Sequence, residues 1–468
     1  MDLLQRIENR SARVAVIGVG YVGLPLAMAL AEAGFGVTAL DLDATKIERL
    51  RAGTSYIQDV PSHTVAAQVA QGRLQATTDY AALADVDVVF VCVPTPYDRQ
   101  KTPDLRHIVS AAEGIARFLR LGQLVVLQST TYPGTTEEVV QPILERTGLK
   151  GGVDFHLAFS PERIDPGTAY GFNVYNTPKV VGGLTPACAD LAAAVLRAIT
   201  PELHRVSTPR AAEMTKLLEN IFRSVNIALV NELALLCERM GIDIWEVIGA
   251  ARTKPFGYMP FYPGPGVGGH CIPVDPYYLS WKAREYDFFT KFIQLAAEIN
   301  EAMPHHVAQL VSDALAQQGK AVRGARILVL GVAFKKNVDD ARNSPAERLI
   351  ELLVQRGARV AFHDPHVGRF HVGGNPFLPE TLDLARVDLD ERALEQADVV
   401  VIVVAHSAYD WAWITQHARL IVDTVNVTAD LPLENVVRLG APLRNKDLGI
   451  RIEDDEASLN LQSSILNP

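Results

Sequence analysis

Cysteine is scarce in this chain, with four in 468 residues. So few cannot build a disulfide framework, and a reducing compartment is expected. Basic charge is also in deficit. With 44 Lys and Arg against 54 Asp and Glu, the formal charge is −10. That balance argues against a broad nucleic-acid surface and leaves room only for a local basic pocket. No uninterrupted apolar run approaches the roughly 20 residues of a membrane span. The opening MDLLQRIENR is charged and carries no hydrophobic signal core. What remains is ordinary: 48% hydrophobic and 21% charged residues, too apolar for disorder. At roughly 100–200 residues per domain the length allows two to four domains. A soluble, cytoplasmic, multidomain protein is expected, with neither membrane, nucleic acid nor metal as a partner.

The hydrophobic pattern divides the chain into three textures. RVAVIG (13–18) reads as a buried strand, LPLAMALAEAG (24–34) as a helix stopped by glycine, and GVTALDLD (36–43) as the next strand. Further strand-like runs lie at 87–93 and 123–128. Strands alternating with helices predict a parallel sheet covered on both faces. From Pro209 the texture becomes helical. No Gly or Pro interrupts 211–240, so one helix of about 30 residues is predicted, a spine between domains or across a subunit interface. A second α/β unit opens with ARILVLGVAF (325–334), and ADVVVIVVAH (397–406) and RLIVDTVN (419–426) add strands. The fold class is therefore α/β: two Rossmann-like, doubly wound parallel-sheet domains joined by a central helical domain with one long helix. Expected boundaries are 1–208, 209–312 and 313–468.

Gly18, Gly20 and Gly23 form G-x-G-x-x-G between strand and helix. One glycine permits the tight turn, another lets backbone approach a pyrophosphate, and the third lets helix pack on strand. The helix N-terminus offers free N–H groups and partial positive charge to phosphates. Asp41, 18 residues after Gly23, closes the second strand, where a carboxylate can accept both ribose hydroxyls and favours NAD over NADP. The plain alternative is glycines serving packing alone, with Asp41 a solvated strand end; the fingerprint by itself also admits flavin.

The most unusual stretch is FGYMPFYPGPGVGGHCIPVDP (256–276). A long loop of glycine and proline inside a compact domain is usually functional. Cys271 ends its glycine run beside His270, and a loop thiolate is a candidate nucleophile. Taken singly a cysteine is more often a small core residue, which is the reading for Cys92, Cys188 and Cys237. His270 is a candidate base for the thiol, although neighbours in a loop often point apart. Asp275 before Pro276 reads as a helix N-cap. Lys216, Asn220 and Arg223 share one stripe of the long helix. Their surroundings are apolar, the helix is expected to be buried, and a lysine beside a carboxamide can hold an oxyanion.

VAVIGVGYVGLPLA, GGHCIPVDP and GVAFKKNVDDARNSP, in that order, resemble the UDP-glucose/GDP-mannose dehydrogenase family of nucleotide-sugar 6-dehydrogenases over nearly the whole chain. KPFGYMPFYPGPGVGGHCIPVDPYYLSWKA resembles the branch acting on UDP-N-acetylhexosamines. The resemblance implies a four-electron, NAD-dependent oxidation of a C6 alcohol through an aldehyde, a thiohemiacetal and a thioester on cysteine. By motif, Cys271 is the nucleophile and Lys216 and Asn220 stabilise the oxygen. Asp275 places or deprotonates the hydrolytic water, and Thr130 in QSTTYPG orders it. Glu162 in FSPER matches the glutamate that starts the second active-site strip, with water-positioning or acid/base work implied for it, and with Arg163 it is implied at the substrate. Here the sequence departs from the family: Pro166 stands where a second glutamate is usual, and Asp165 is only adjacent. For NAD the resemblance implies Gly18, Gly20, Tyr21, Val22, Gly23, Asp41, Lys46, Thr95, Thr130 and Arg342. For the UDP-sugar it implies Phe334, Lys335 and the 262–269 loop with Tyr262, Gly266 and Gly268. Arg252 and Lys254 are further diphosphate candidates, from a neighbouring subunit. A homodimer or higher homo-oligomer in surface-polysaccharide precursor synthesis is implied.

The leading expectation is UDP-N-acetylglucosamine 6-dehydrogenase. The rivals are the N-acetylmannosamine, N-acetylgalactosamine or glucose enzyme, a single-step hydroxyacid dehydrogenase, and a non-catalytic nucleotide-sugar scaffold. The hydroxyacid enzyme has no use for a cysteine loop or a second α/β domain.

Overall fold

The computed structural model describes residues 2–57, 59–98, 100–164, 171–269, 272–431 and 434–442. Short runs of β-branched residues build its strands, and glycines at their ends let the chain turn. The first eight are β1 (Arg13–Ile17), β2 (Gly36–Leu40), β3 (Leu74–Thr77), β4 (Val88–Val91), β5 (Leu124–Leu127), β6 (His156–Phe159), β7 (Lys179–Gly183) and β8 (Leu203–Val206). They form one sheet ordered β3-β2-β1-β4-β5-β6-β7-β8, parallel except at β6–β7. Its first six places follow the strand order of dinucleotide-binding sheets. Helices cover both faces, so the central strands read as continuous buried valine, leucine and phenylalanine.

The long helix spans Pro209–Met240, 32 residues. Its ends are written in the sequence. Thr208 caps it by accepting the Ala211 N–H, Pro209 fills the first turn, and Gly241 stops it with φ of 70°. Its orientation differs from the expectation of general burial. The side turned into the protein is largely small and polar, with Glu213, Lys216, Asn220, Ser224 and Asn231 buried. Met214, Leu218, Phe222, Leu229, Leu236 and Met240 face outward, Leu218 at 59% exposure. By length and composition alone this helix could cross a membrane, since one 18-residue window reaches a mean hydropathy of 1.2. Its inward face instead packs on helix Lys291–Gln317 through amide hydrogen bonds.

Helix Lys291–Gln317 runs through the expected 312/313 boundary. From Met303 onward its apolar side belongs to the core of the second sheet. That sheet holds β9 (Arg326–Leu330), β10 (Arg359–His363), β13 (Val399–Ile402), β14 (Ile421–Asp423) and β15 (Val436–Arg438), ordered β10-β9-β13-β14-β15 and all parallel. A separate antiparallel hairpin, β11 (Arg369–Gly373) with β12 (Thr381–Ala385), lies after β10.

Candidate active site

In the first glycine turn, two of the three glycines are demanded by close packing. Gly18 has φ of 86°, and a Cβ there would strike the Cys92 carbonyl at 2.6 Å. A Cβ on Gly23 would lie 1.9 Å from the Gly18 oxygen, so helix Gly23–Glu32 can close on the strand only without one. A Cβ on Gly20 meets nothing within 4 Å, which leaves the outer face of the turn open to a phosphate. Asp41, at the end of β2, accepts the Val19 N–H at 3.0 Å and faces the Lys46 ammonium at 3.3 Å. Tyr56, which sequence reading passed over, braces the turn by donating to the Val19 carbonyl at 2.6 Å. The cradle fits a dinucleotide carrying a free adenosine ribose.

Across the turn, Tyr21 reaches the second α/β unit. Its hydroxyl donates to Asp339 at 3.4 Å, and the Arg342 guanidinium lies 5.6 Å from its ring centroid. Arg342 also pairs with Asp340 at 2.5 Å. A cavity of about 380 Å3 opens at this junction, lined by Tyr21, Arg342, Asn343, Glu347, Arg369 and His371. Val22, half-buried, begins the helix behind it. Thr95 is half-buried after β4, and its carbonyl accepts the Tyr278 hydroxyl at 2.9 Å.

Lys216, Asn220 and Asp275 come together. Asn220 donates its side-chain amide to Asp275, which is 2% exposed. Burial pushes the Asp275 carboxyl up to about 6, against the opposing pull of the Lys216 charge and the Asn220 bond. Asp275 does not cap its helix as expected. Val274 holds that place and Asp275 is the first helical residue of Asp275–Ala283, its carboxylate spent on Asn220 instead. Arg223, one turn further along the long helix, is half-buried. Cys271 and His270, four and five residues before Asp275, lie outside the described residues.

Thr130 is half-buried in the loop after β5. That loop hangs on Glu213 of the long helix, which accepts the N–H groups of Gly134 and Thr136 at 2.6 and 2.9 Å. Burial raises the Glu213 carboxyl despite these bonds. Glu162 is buried after β6. It accepts the Lys179 ammonium at 2.6 Å, the Gln128 amide at 3.0 Å, and the backbone N–H groups of Arg163 and Ile164 at 2.7 and 3.0 Å. Burial alone would raise its carboxyl, but Lys179 and the two amides hold it below its ordinary value. Arg163 is tied to Glu219 at 2.6 Å and to the Pro178 carbonyl at 2.8 Å. Asp165 and Pro166 lie outside the described residues.

The glycine loop is strapped between the long helix and the second α/β unit. Tyr262 stacks on Trp245 with centroids 6.0 Å apart, and the Gly264 N–H donates to Asn231 at 3.0 Å. A Cβ on Gly268 would come within 3.0 Å of Asn343, Pro345 and Phe334, and one on Gly266 within 3.1 Å of Pro345. Gly269 is clasped from both sides, donating to the Arg342 carbonyl at 3.2 Å and accepting from the Asn343 amide at 3.0 Å. The Lys335 ammonium lies 5.6 Å from the Phe334 ring centroid. Arg252 and Lys254 are exposed beyond helix Ile244–Ala251, with Lys254 5.1 Å from the Phe256 ring centroid.

Several supporting residues escaped sequence reading. Glu213 is three residues before Lys216 on one helix face, a spacing that could have revealed it. Lys179, Asn231 and Asn343 reach their partners through the tertiary fold, and no local pattern marks them.

Residues 12–200 match the family described as UDP-glucose/GDP-mannose dehydrogenase family, NAD binding domain. Residues 210–302 match its central domain and 328–430 its UDP binding domain. A UDP-N-acetyl-D-mannosamine dehydrogenase of Pyrococcus horikoshii is 35% identical over 432 residues, covering 91% of this chain and 98% of that protein. A UDP-N-acetyl-D-glucosamine 6-dehydrogenase of Pseudomonas aeruginosa is 39% identical over 361 residues, covering 76% and 84%. The solved structure of the UDP-D-ManNAc dehydrogenase of Pyrococcus horikoshii superposes with a TM-score of 0.82 at 32% identity, covering 92% of this chain and 99% of that one.

Proposed function

The chain belongs to the UDP-glucose/GDP-mannose dehydrogenase family, an NAD-dependent nucleotide-sugar 6-dehydrogenase, and we propose that it oxidises UDP-N-acetylglucosamine to the uronic acid. The choice of epimer is supported by the resemblance of segment 254–283 to the branch acting on UDP-N-acetylhexosamines and by a glucosamine relative at 39% identity over 361 residues, beside a mannosamine relative at 35% over 432. The four-electron route rests on one observation. Lys216, Asn220 and Asp275 form a buried cluster, and Asp275 stands four residues after Cys271 in the sequence.

In this reading the first glycine turn, Asp41 and Lys46 would hold NAD, which would supply the hydride acceptor for each of two oxidations at C6. Thr95, Thr130 and Arg342 complete its site. The Cys271 thiolate adds to the aldehyde and keeps it bound. Lys216 and the second N–H of the Asn220 amide stabilise the oxygen that becomes alkoxide and then hemithioacetal. After the second hydride leaves, a thioester remains. Asp275 and Thr130 place the water that breaks its C–S bond, and Asp275 takes a proton from that water. Glu162, with every visible acceptor position engaged, is assigned to holding the Arg163 strip. Lys335, Phe334 and the 262–269 loop hold the nucleotide diphosphate and sugar, and Arg252 reaches it from a second subunit. The outward apolar stripe of the long helix supports a homodimer. The first domain limit is proposed near 208, and helix Lys291–Gln317 is proposed to be shared across the limit expected at 312.

A panel assay tests it: purified protein, NAD and each UDP-sugar in turn, with NADH followed by absorbance. The highest kcat/KM is expected for UDP-N-acetylglucosamine. A clear preference for the mannosamine, galactosamine or glucose substrate would reassign the sugar.

A further inference from the structure

The second α/β unit contains a fully buried acid–histidine pair that the reaction does not use. Asp364 follows β10 and His406 follows β13, and both are 0% exposed. Asp364 Oδ2 accepts the N–H groups of Val332 and Ala333 at 2.8 and 3.0 Å, where the chain leaves β9. The same oxygen lies 3.1 Å from His406 Nε2. His406 Nδ1 lies 2.9 Å from the backbone nitrogen of Asn337 and accepts its N–H. This bonding fixes the ring's tautomer: Nδ1 carries no proton, and the proton on Nε2 is donated to Asp364. Burial alone would raise the Asp364 carboxyl. The bonds from His406 and the Ala333 and His366 amides overcome it and hold the group well below the usual carboxylate range.

One carboxylate thus grips a single loop at two points, directly at 332–333 and through the imidazole at 337. Between them stand Phe334 and Lys335. The loop is closed by the Phe334 N–H donating to the Asp340 carbonyl at 2.9 Å. Asn337 sits at φ of 62°, a left-handed conformation that asparagine tolerates, and its side chain exchanges two hydrogen bonds with Ser407 at 2.8 and 3.0 Å. We propose that His406 is a positioning residue for the nucleotide-sugar diphosphate. Its two ring nitrogens hold the 334–337 loop between Asp364 and Asn337, so that Lys335 meets the diphosphate at a fixed place. The proposal rests on assigning Lys335 to the diphosphate, as above.

Calorimetric titration of the full-length protein with UDP, and separately with NAD, tests it, with melting temperature reporting the fold. His406→Leu leaves the Asn337 N–H without its acceptor and should weaken UDP about tenfold, with NAD unchanged. His406→Asn returns an acceptor oxygen near the Nδ1 position and should bind UDP within about threefold of the parent. Should the leucine variant fold poorly, Asn337→Gly keeps the left-handed backbone and its N–H but loses the Ser407 bonds. That variant should weaken UDP about threefold and spare NAD. Parental UDP affinity in a folded His406→Leu or Asn337→Gly protein overturns the proposal. So do equal losses of UDP and NAD, the pattern of a merely structural role. Lys335→Gln separates the two layers: parental UDP affinity there sinks the diphosphate assignment, whereas weakened affinity beside a parental His406→Leu sinks only the role of His406.

Discussion

The two α/β units are built on the same local frame and put it to different uses. In each, a glycine with positive φ ends the first strand, Gly18 at 86° and Gly331 at 83°. In each, that glycine donates to the carbonyl closing the second strand, Leu40 at 2.8 Å and His363 at 2.9 Å. In each, an acid one residue further on accepts the N–H after the glycine, Asp41 from Val19 and Asp364 from Val332. The difference begins there. The first helix starts at Gly23 and keeps the turn tight, while the second starts at Pro345 after a long loop bearing Lys335 and Arg342. The Asp41 carboxylate keeps 13% of its surface and a lysine beside it, whereas Asp364 is sealed by His406. An acid at this place can meet a ligand only while part of its carboxylate stays exposed, as it does in Asp41 and not in Asp364. Sealed, it becomes a fixture that holds the lengthened loop, the part proposed above to meet the diphosphate.

Five changes probe this division. Cys271→Ser alters neither frame and should lower acid formation by on the order of 1,000-fold or more, while NAD and UDP still bind in titrations. Asp364→Ala leaves buried N–H groups and a histidine unpaired, and denaturant melts should show a loss of about 3 kcal/mol with NAD affinity unchanged in protein that remains folded. Lys216→Ala, on the helix between the units, should raise the barrier by about 2–4 kcal/mol in steady-state kcat/KM. Asp41→Ala should weaken NAD about tenfold by fluorescence titration and leave UDP alone, the mirror of the Asp364 variant. A melt in which Asp41→Ala costs as much stability as Asp364→Ala would erase the contrast. The smallest effect is a pH limb. Asp275, pushed up to about 6, is protonated below that pH and cannot take a proton from water. Single-turnover acid release should therefore slow as pH falls through about 6, and Asp275→Asn should be slow and flat across that range.

Much of the first frame was legible because its determinants are local. Three glycines, a strand on either side and one acid fall within some thirty residues, and each needs only backbone geometry to act. The ends of the long helix were legible for the same reason, through Thr208, Pro209 and Gly241. Which side of that helix faces inward was not. A pattern of mixed apolar and polar residues does not say whether the partner surface is oil or amide, and here Asn231 meets Asn300 at 2.9 Å. The Asp275 carboxylate looked like a cap because Asp-Pro usually opens a helix. Asn220, 55 residues away, drew it elsewhere. Asp364 and His406 end two strands 42 residues apart and become neighbours only because β9 lies between β10 and β13. The roles expected of Thr130, Glu162 and Lys335 came from motif resemblance, since nothing in their own spacing marks them.

The proposed route turns on the Cys271 thiol retaining the aldehyde until a second hydride leaves. Counting NADH against UDP-N-acetylglucosamine consumed, with the products resolved by mass spectrometry, tests it most directly. Two NADH per sugar and a uronic acid without free aldehyde are expected from the parent protein. One NADH per sugar with aldehyde released, or two NADH from Cys271→Ser at the parental rate, would contradict the account.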